Sequence, residues 1–272
     1  YKPQQNLRSK IKVVEMNKEE FQNRFEEFSA CNWSFDGSST QQARGNFSDC
    51  ILKPCQTSFN NPFKLPIFDS HELVLCDVYT PDEKPHPSNT RVICEGADMD
   101  DLWLGFEQEY CLINPSTNFP IGFPKDGNQA PQGRYYCGVG SDCIAGRKIM
   151  EKHLSYCLSA GLNITGTNAE VMLGQWEFQI LGKTAVSAAD SLWMARYILE
   201  RIAEEEGVIV SYHPKPLSGD WNGSGLHCNF SNERMRSSGD KQYLSTILSV
   251  FEKNHQDHIS HYGACLLYTS PS

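Results

Sequence analysis

Apolar residues in the first hundred positions fall into short groups separated by long polar stretches. Phenylalanines recur at i, i+4 and i+7 from residue 21 to residue 28, which is the spacing of one helix face. Prolines at positions 54, 62 and 66 interrupt any regular pattern there. The predicted elements are short strands near Leu7–Val14 and Leu52, a helix over Glu19–Phe28, a linker or extended loop over residues 53–70, a strand over Leu73–Tyr79 and a proline-rich loop over Pro81–Asn89.

After residue 100 the pattern changes to an alternation of strands and longer amphipathic segments. Leucine, alanine and isoleucine at positions 192, 195, 199 and 202 form one apolar stripe at helical spacing. The predicted elements are a strand over Leu104–Ile113, a connection over Pro115–Gly133, a helix capped by Ser141 or Asp142 that runs to Ala160 and Gly161, a helix capped by Ser187 and ended by Gly207, strands over Val208–Tyr212 and Leu226–Phe230, and a last helix from Gly239 to about Gln256.

The first predicted strand of this region carries two acidic residues, Glu107 and Glu109, on either side of Gln108. Residues i and i+2 of a strand face the same side, about 6–7 Å apart, so both carboxylates share one face. Taken alone, such a pair is more often the exposed polar face of a half-buried strand than a functional site.

A second acidic pair lies on a predicted hairpin, in which Leu173-Gly174 separates two largely apolar segments. In a two-residue hairpin Met172 faces Gln175, and Glu170 therefore faces Glu177 directly. Like charges in that arrangement are destabilising unless a proton or a cation compensates them. A different register would remove this pairing.

A lone histidine, His227, follows the glycine-rich stretch Asn222–Gly225. A single histidine is more often structural than a ligand, but these glycines let the backbone approach a bound molecule closely. Four carboxylates and an imidazole form a set of hard ligands that suits Mg²⁺ or Mn²⁺. Carboxylates that hold Mg²⁺ usually do so to bind nucleotide phosphates.

The composition narrows the class of protein. The net charge of −9, from 33 acidic and 24 basic residues, argues against a general nucleic-acid binder. No run of 18 apolar residues predicts a membrane span. Eleven cysteines, an odd number without a Cys-x-x-Cys pair, favour reduced thiols in a cytoplasmic protein over a disulfide framework.

Together these residues resemble glutamine synthetase, most closely the eukaryotic type. The similarity runs from about Asn6 to Gly263, and several independent motifs agree in order and spacing. The motifs that carry it are Phe35-Asp36-Gly37-Ser38-Ser39 with Ser48-Asp49, Gly105–Tyr110, Tyr135–Gly140, Gly166–Met172, Gln175–Ile180, Lys215-Pro216 and Asn222–Ser231.

The resemblance implies an α+β fold, with a β-grasp amino-terminal domain over residues 1–80 and a glutamine synthetase-type catalytic domain over residues 81–263. The catalytic domain is expected to contain a curved antiparallel sheet, and residues 264–272 match nothing in the family. The implied activity is that of a ligase of nitrogen metabolism, which joins ammonia to L-glutamate with ATP and gives L-glutamine, ADP and phosphate through γ-glutamyl phosphate. Family members assemble as stacked rings with sites between adjacent subunits.

The resemblance also assigns residues. Asp36 and Glu177 take the catalytic roles, and Asp36 would bind and deprotonate ammonium in a neighbouring subunit's site. Glu109, Glu170 and Glu177 would hold one metal ion, and Glu107 with His227 the second. The residues implied for L-glutamate are Asp220, Trp221, Asn222, Gly223 and His227. The residues implied for ATP are Trp103, Glu107, Glu177, Phe178, Gly182, Asn229, Phe230 and Ser231.

The chain also departs from the family pattern. The family's first strand has no counterpart, and after Tyr262-Gly263 the family's arginines, its glutamate-bearing flap and its last metal ligand are missing. We therefore expect a fragment that is inactive and poorly soluble by itself. A non-catalytic relative and another carboxylate-amine ligase remain open, although the Phe35–Ser39 motif favours ammonia as the substrate.

Overall fold

The computed structural model describes residues 7–15, 32–63, 71–96, 101–129 and 133–262. The predicted helix over Glu19–Phe28 and the tail over 264–272 lie outside these residues. The chain forms two compact units, Tyr1–Asp98 with Ser159–Gly161, and Met99–Leu158 with Leu162–Ser272. Within the described ranges, no helix is both long and apolar enough to cross a membrane. The cysteines described there form no disulfide.

The first unit contains a three-stranded antiparallel sheet in the order β1-β2-β3. A 3₁₀ helix follows β1 directly, and its close packing requires Gly37, since a Cβ there would clash with Cys50. The elements are β1 Trp33–Asp36, the 3₁₀ helix Gly37–Thr40, β2 Asp49–Asn60, β3 Glu72–Tyr79 and helix α1 Arg91–Glu95.

The loop predicted over Pro81–Asn89 and two strands of this unit are confirmed, and two other predictions are wrong. The strand at Leu73–Tyr79 and the one around Leu52 both form. The linker or loop predicted over residues 53–70 is wrong as far as Asn60, because β2 continues to that residue and a register irregularity after Pro54 accommodates the proline. Residues 61–63 are irregular as predicted, and residues 64–70 lie outside the described part of the chain. The strand predicted at Leu7–Val14 is also wrong: residues 7–15 have no regular structure, and no described strand pairs with them.

The second unit is built on a five-stranded antiparallel sheet in the order β5-β6-β4-β7, with β8 also paired to β4. Strand β6 covers one edge of β4, while β8 and β7 share the other edge, one after the other. Strand β4 therefore contacts three neighbours. The strands are β4 Trp103–Ile113, β5 Ile164–Ala169, β6 Gln175–Gly182, β7 Ile209–Ser211 and β8 Leu226–Ser231.

Helix α2, Arg147–Ser159, begins later than the predicted cap at Ser141 or Asp142. Residues 141–146 form turns, and Gly146 has a φ of +91°, a left-handed conformation that a continuous helix would not allow. Helix α3, Ala185–Glu206, ends at Gly207 as predicted. Its cap is Thr184 and not Ser187, which instead returns a hydrogen bond as the third helical residue of a capping box.

The last predicted helix, from Gly239 to about Gln256, corresponds to the second of three helices that the described residues form after β8. Gly239 ends helix α4, Glu233–Ser238, in a left-handed conformation. Asp240 then caps helix α5, Lys241–Lys253, by accepting from two backbone N–H groups. Helix α6, His255–His261, follows after Asn254.

The core of the second unit lies between the sheet and α3. The apolar stripe of α3 packs on β4, β6 and β7, and each fully buried leucine or isoleucine contributes about 1.5–3 kcal/mol. Gly182 brings the helix onto the strand, because a Cβ there would clash with the backbone of Ala188. One face of the sheet is thus covered by helix, and the polar side chains of alternate positions occupy the other face.

Candidate metal centre

Three neighbouring strands place acidic side chains and one histidine on the face of the sheet opposite α3. Glu107 and Glu109 come from β4, two residues apart as predicted. Glu177 of β6 lies directly opposite Glu109, and His227 of β8 lies directly opposite Glu107. Because directly opposed residues project to the same side of a sheet, these four side chains share one face.

Glu170 reaches the same place from the end of β5, although the predicted hairpin register is wrong. Asn168, and not Glu170, is the residue opposite Glu177. The ladder continues through the Glu170 N–H, which donates to the Gln175 carbonyl at 2.9 Å. The true register differs from the predicted one by two positions, so Glu170 keeps its face and becomes a diagonal neighbour of Glu177.

The carboxylates of Glu109, Glu170 and Glu177 form a cluster, with one oxygen from each within 4.8 Å of the others. All three residues are buried, at 8%, 7% and 5% exposure. In the described part of the chain, they are held by amides and backbone N–H groups and not by lysine or arginine. These donors are Gln175 Nε2 and Gly225 N for Glu109, Asn168 Nδ2 and Val171 N for Glu170, and Gln179 Nε2 for Glu177.

Crowding and burial perturb the ionisation of this cluster. Burial, with the charges of Glu170 and Glu177 adding to it, raises the pKa of Glu109 to about 7. The pKa of Glu170 is raised as well, by burial and then by the charge of Glu177. A divalent cation among the three oxygens would relieve both effects, because an adjacent opposite charge favours the ionised form.

Glu107 and His227 form a second, more exposed group beside the cluster. The Nδ1 atom of His227 lies 3.1 Å from one Glu107 oxygen, and Asn229 Nδ2 donates to the other at 2.6 Å. The contact with His227 lowers the pKa of Glu107, and the same contact raises the pKa of His227. The five residues predicted as ligands therefore divide into a buried group of three and an exposed pair.

The donor set of the buried group fits a hard divalent ion. Its oxygens come only from carboxylates, and it contains no thiolate of the kind that zinc or copper would favour. Three buried carboxylates without a basic partner in the described residues have an uncompensated charge that such an ion would neutralise.

Four of the five residues predicted to bind L-glutamate lie in the loop before β8, and the fifth, His227, lies in β8 itself. The Gly225 N–H donates to Glu109 Oε2 at 3.0 Å, and the Gly223 carbonyl accepts from Gln175 Nε2 at 2.7 Å. Asn222 donates to the same glutamine side chain at 3.3 Å. Trp221 packs its ring 5.2 Å from that of Phe123 and accepts from the Lys215 ammonium through its carbonyl, and Asp220 precedes it. The loop therefore adjoins the carboxylate cluster.

Sequence reasoning missed Gln175, which is 1% exposed and links this loop to Glu109. Its position two residues before Glu177 in β6 was the available signal, because that spacing puts both side chains on one face. Tyr136 lies near the same cluster: the charge of Cys137, and then that of Glu170, raises the pKa of its phenol.

The residues predicted for ATP are only partly on this face. Trp103 opposes Ser231, and Asn229 contacts Glu107, so these side chains share the face of the cluster. The side chains of Phe178 and Phe230 lie on the other face: Phe178 is fully buried beside Tyr110, and the ring of Phe230 lies 5.5 Å from that of Phe251.

Gly182 ends β6 opposite Leu104, where it also serves the packing of α3. Two cations that the sequence analysis did not single out flank Trp103. The Arg236 guanidinium lies 4.3 Å from a Trp103 ring and the Lys183 ammonium 5.5 Å. This end of the strand thus combines an aromatic surface with positive charge.

Asp36 belongs to the first unit, whereas the carboxylate cluster belongs to the second. Its carboxylate accepts from Ser38 N at 2.9 Å, Ser38 Oγ at 2.6 Å and Ser39 Oγ at 3.0 Å. These hydrogen bonds, those from Ser38 foremost, lower the pKa of Asp36. The side chain is therefore fixed and ionised at the start of the 3₁₀ helix.

Comparison with known proteins identifies the family. Residues 5–81 match the family model for the glutamine synthetase β-grasp domain, and residues 91–251 match that for the glutamine synthetase catalytic domain. The chain therefore belongs to the glutamine synthetase family. The predicted fold class is confirmed, with a β-grasp domain, a catalytic domain and antiparallel sheets with helices. The predicted boundaries at 80 and 263 stay predictions.

Curated relatives are similar over most of the chain. Glutamine synthetase N-1 of Phaseolus vulgaris is 46% identical over 237 residues, which are 85% of this chain and 65% of the relative. The glutamine synthetase of Bradyrhizobium diazoefficiens is 46% identical over 97% of this chain and 74% of its own length. A cytosolic isozyme of Daucus carota is 47% identical over 85% and 66%. The chain thus spans about two thirds of the length of these plant relatives.

A solved structure titled "Apo GmaS without ligand" superposes with a TM-score of 0.59 and covers 76% of this chain and 48% of its own. At 22% sequence identity, this similarity supports the fold alone.

Proposed function

We propose that the protein joins ammonia to L-glutamate in a reaction driven by ATP, giving L-glutamine, ADP and phosphate. The observation that carries this proposal is the buried cluster of Glu109, Glu170 and Glu177, which has no basic partner among the described residues of a glutamine synthetase-family chain. Such a cluster is suited to Mg²⁺ or Mn²⁺ and, through the ion, to a nucleotide triphosphate.

In this proposal Glu109, Glu170 and Glu177 hold one divalent ion, and Glu107 with His227 holds the second. The ions, when bound, offset the negative charge between the carboxylate of glutamate and the phosphates. The γ-carboxylate of glutamate is a poor electrophile until it is phosphorylated, and ammonia then displaces the phosphate from γ-glutamyl phosphate.

The nucleotide would lie along Trp103, Asn229 and Ser231, where Lys183 and Arg236 supply positive charge beside an aromatic ring. Glu177 and Gly182 would border it on β6. Phe178 and Phe230 would contribute only main-chain atoms, since their side chains are on the far face of the sheet.

Glutamate would lie along the loop from Asp220 to Gly223, beside His227. The hydrogen bonds between this loop, Gln175 and Glu109 would keep the substrate's carboxylate next to the cluster. Asp36, ionised and fixed by its serine donors, would attract ammonium and accept its proton in a neighbouring subunit of a ring assembly. We place the protein in the cytoplasm, in keeping with the names of its cytosolic relatives.

The test is the formation of γ-glutamyl hydroxamate from glutamate, hydroxylamine and ATP with Mg²⁺ by the full-length gene product. The Glu177→Ala variant should lose this activity while it remains folded, because it removes a ligand from the buried cluster. The matched control is Glu204→Ala, whose carboxylate is exposed on α3 and pairs with Arg201. This control should keep full activity.

The outcomes separate the alternatives. Unchanged activity in Glu177→Ala would refute the metal assignment. A folded protein that binds Mn²⁺ but forms no hydroxamate would favour a non-catalytic relative. Product formed with another acid or amine, and not with glutamate, would identify a different carboxylate-amine ligase.

A further inference from the structure

The edge of β4 that faces β7 and β8 contains a gap. Pairing with β8 ends at Gln108, and pairing with β7 begins at Cys111. Glu109 lies between these points. Its N–H donates to the Gly225 carbonyl at 3.1 Å, and its carbonyl accepts from the side-chain Nε2 of Gln108 at 2.7 Å. A side-chain amide therefore takes the place of a strand neighbour at a residue of the carboxylate cluster.

The orientation of this amide is fixed by Arg196 of α3. Gln108 is 3% exposed, and its Oε1 accepts from Arg196 Nε at 2.8 Å and from Arg196 Nη2. Its Nε2 faces the carbonyls of Glu109 and, at 3.4 Å, Gly225. An arginine only donates hydrogen bonds. If the Gln108 amide were reversed, its NH₂ group would face the Arg196 donors and its oxygen would face the carbonyls of Glu109 and Gly225.

Arg196 is itself held in an unusual environment for a cation. Its guanidinium lies 4.8 Å from the ring of Trp193 and 5.0 Å from that of Tyr212. In the described part of the chain no carboxylate pairs with it, and its hydrogen bonds go to Gln108 alone. Burying a charge costs free energy, which the two rings and the amide oxygen offset.

Gly225 connects these contacts with the carboxylate cluster. The Gly225 carbonyl is the acceptor shared by Gln108 Nε2 and the Glu109 N–H, and the Gly225 N–H donates to the Glu109 carboxylate at 3.0 Å. The position of Gly225 against β4 therefore contributes, together with Gln175 Nε2, to where the Glu109 carboxylate points.

We propose that Arg196 and Gln108 are positioning residues, which hold Gly225 against β4 from the helix-covered face of the sheet and so direct the Glu109 carboxylate into the cluster. The inference deepens the proposed function and rests on it for the metal ion. Loss of the pair loosens the segment over residues 222–227, which joins the loop to the start of β8, and weakens metal binding without unfolding the unit.

Three variants and one control test this proposal. Gln108→Glu keeps an acceptor for Arg196 but removes the donor to the two carbonyls. Arg196→Met removes the donors and keeps much of the volume, whereas Arg196→Lys restores the charge and one donor. The control, Arg201→Met, alters a half-buried arginine of the same helix that pairs with Glu204.

Two measurements are made on the full chain. Hydrogen exchange in EDTA measures the backbone protection of the segment over residues 222–227, and calorimetry gives the Kd for Mn²⁺. Gln108→Glu and Arg196→Met should exchange at least about tenfold faster in this segment and bind Mn²⁺ about 10- to 100-fold more weakly, as for other partners of metal ligands. Arg196→Lys should be intermediate, and Arg201→Met should match the wild type.

The results are decisive in each direction. Wild-type exchange and wild-type Mn²⁺ affinity in folded Gln108→Glu would overturn the positioning role. If that variant does not fold, wild-type behaviour of both properties in Arg196→Met would overturn it equally. A wild-type chain that binds no Mn²⁺ would refute the proposed function, while the exchange rates in EDTA would still decide on the positioning role.

Discussion

Replacing Glu109 with glutamine should stabilise the metal-free protein. The carboxylate is buried beside those of Glu170 and Glu177, and its pKa of about 7 lies well above the ordinary 4.5. Glutamine retains an oxygen that can accept from Gly225 N and Gln175 Nε2, and it removes the charge. The variant thus separates the cost of a buried charge from the value of the hydrogen bonds around it.

The size of the charge penalty at Glu109 and its pH dependence follow from the pKa of this carboxyl in the unfolded and in the folded chain. Below about pH 4 the carboxyl is protonated in both the folded and the unfolded chain, and the wild type has no charge penalty at this position. As the pH rises the unfolded chain ionises first, so the folded state loses relative stability. With a pKa of 4.5 unfolded and about 7 folded, the penalty is about 1 kcal/mol at pH 5 and about 3 kcal/mol at pH 8.

Urea unfolding in EDTA, followed by tryptophan fluorescence, measures this penalty. Glu109→Gln should exceed the wild type in free energy of unfolding by about 3 kcal/mol at pH 8 and by about 1 kcal/mol at pH 5. Glu204→Gln, an exposed change on α3, serves as control and should match the wild type. Mn²⁺ at 100 times its Kd should add about 2.7 kcal/mol to the wild type and much less to Glu109→Gln.

Two results would refute this reasoning. The first is a Glu109→Gln variant that is no more stable than the wild type at pH 8 in EDTA. The second is a stability difference of equal size at pH 5 and pH 8, because a charge penalty must grow across that interval.

Three further predictions concern single contacts. Glu107→Gln should lower the pKa of His227 toward its ordinary value, because the charged partner is removed; an unchanged NMR titration of the imidazole would contradict the contact. Gly182→Ala should destabilise the protein by about 2–3 kcal/mol, since its Cβ would clash with the backbone of Ala188, and a wild-type urea midpoint would argue against that packing. Thr184→Ala removes the cap of α3 and should cost about 1 kcal/mol in the same assay, whereas no loss would mean that the capping box is dispensable.

Local rules of the chain predicted part of this site. The alternation of a strand put Glu107 and Glu109 on one face whatever the rest of the fold, because that alternation depends only on neighbouring residues. Gly207 marked the end of α3 for a similar reason, since a left-handed residue ends a helix locally.

Those local rules could not predict contacts between residues that are far apart in the sequence. Gln108 and Arg196 are 88 positions apart, and in the sequence Gln108 is simply a polar residue between two acidic ones. Its burial depends on α3 packing over β4, which the pattern does not specify. Asp142 likewise has the chemistry of a helix cap, but the left-handed Gly146 that follows it excludes a helix there.

The hairpin between β5 and β6 tolerates one kind of change in length and not another. Because strand faces alternate with every residue, gaining or losing two residues in this connection would leave Glu170 beside its acidic neighbours. Gaining or losing one would turn it toward the helical layer. In divergent sequences, it therefore matters more whether the number of residues between the two strands is even or odd than what that number is. This parity indicates whether the acidic residue at the position of Glu170 stays on the same face of the sheet.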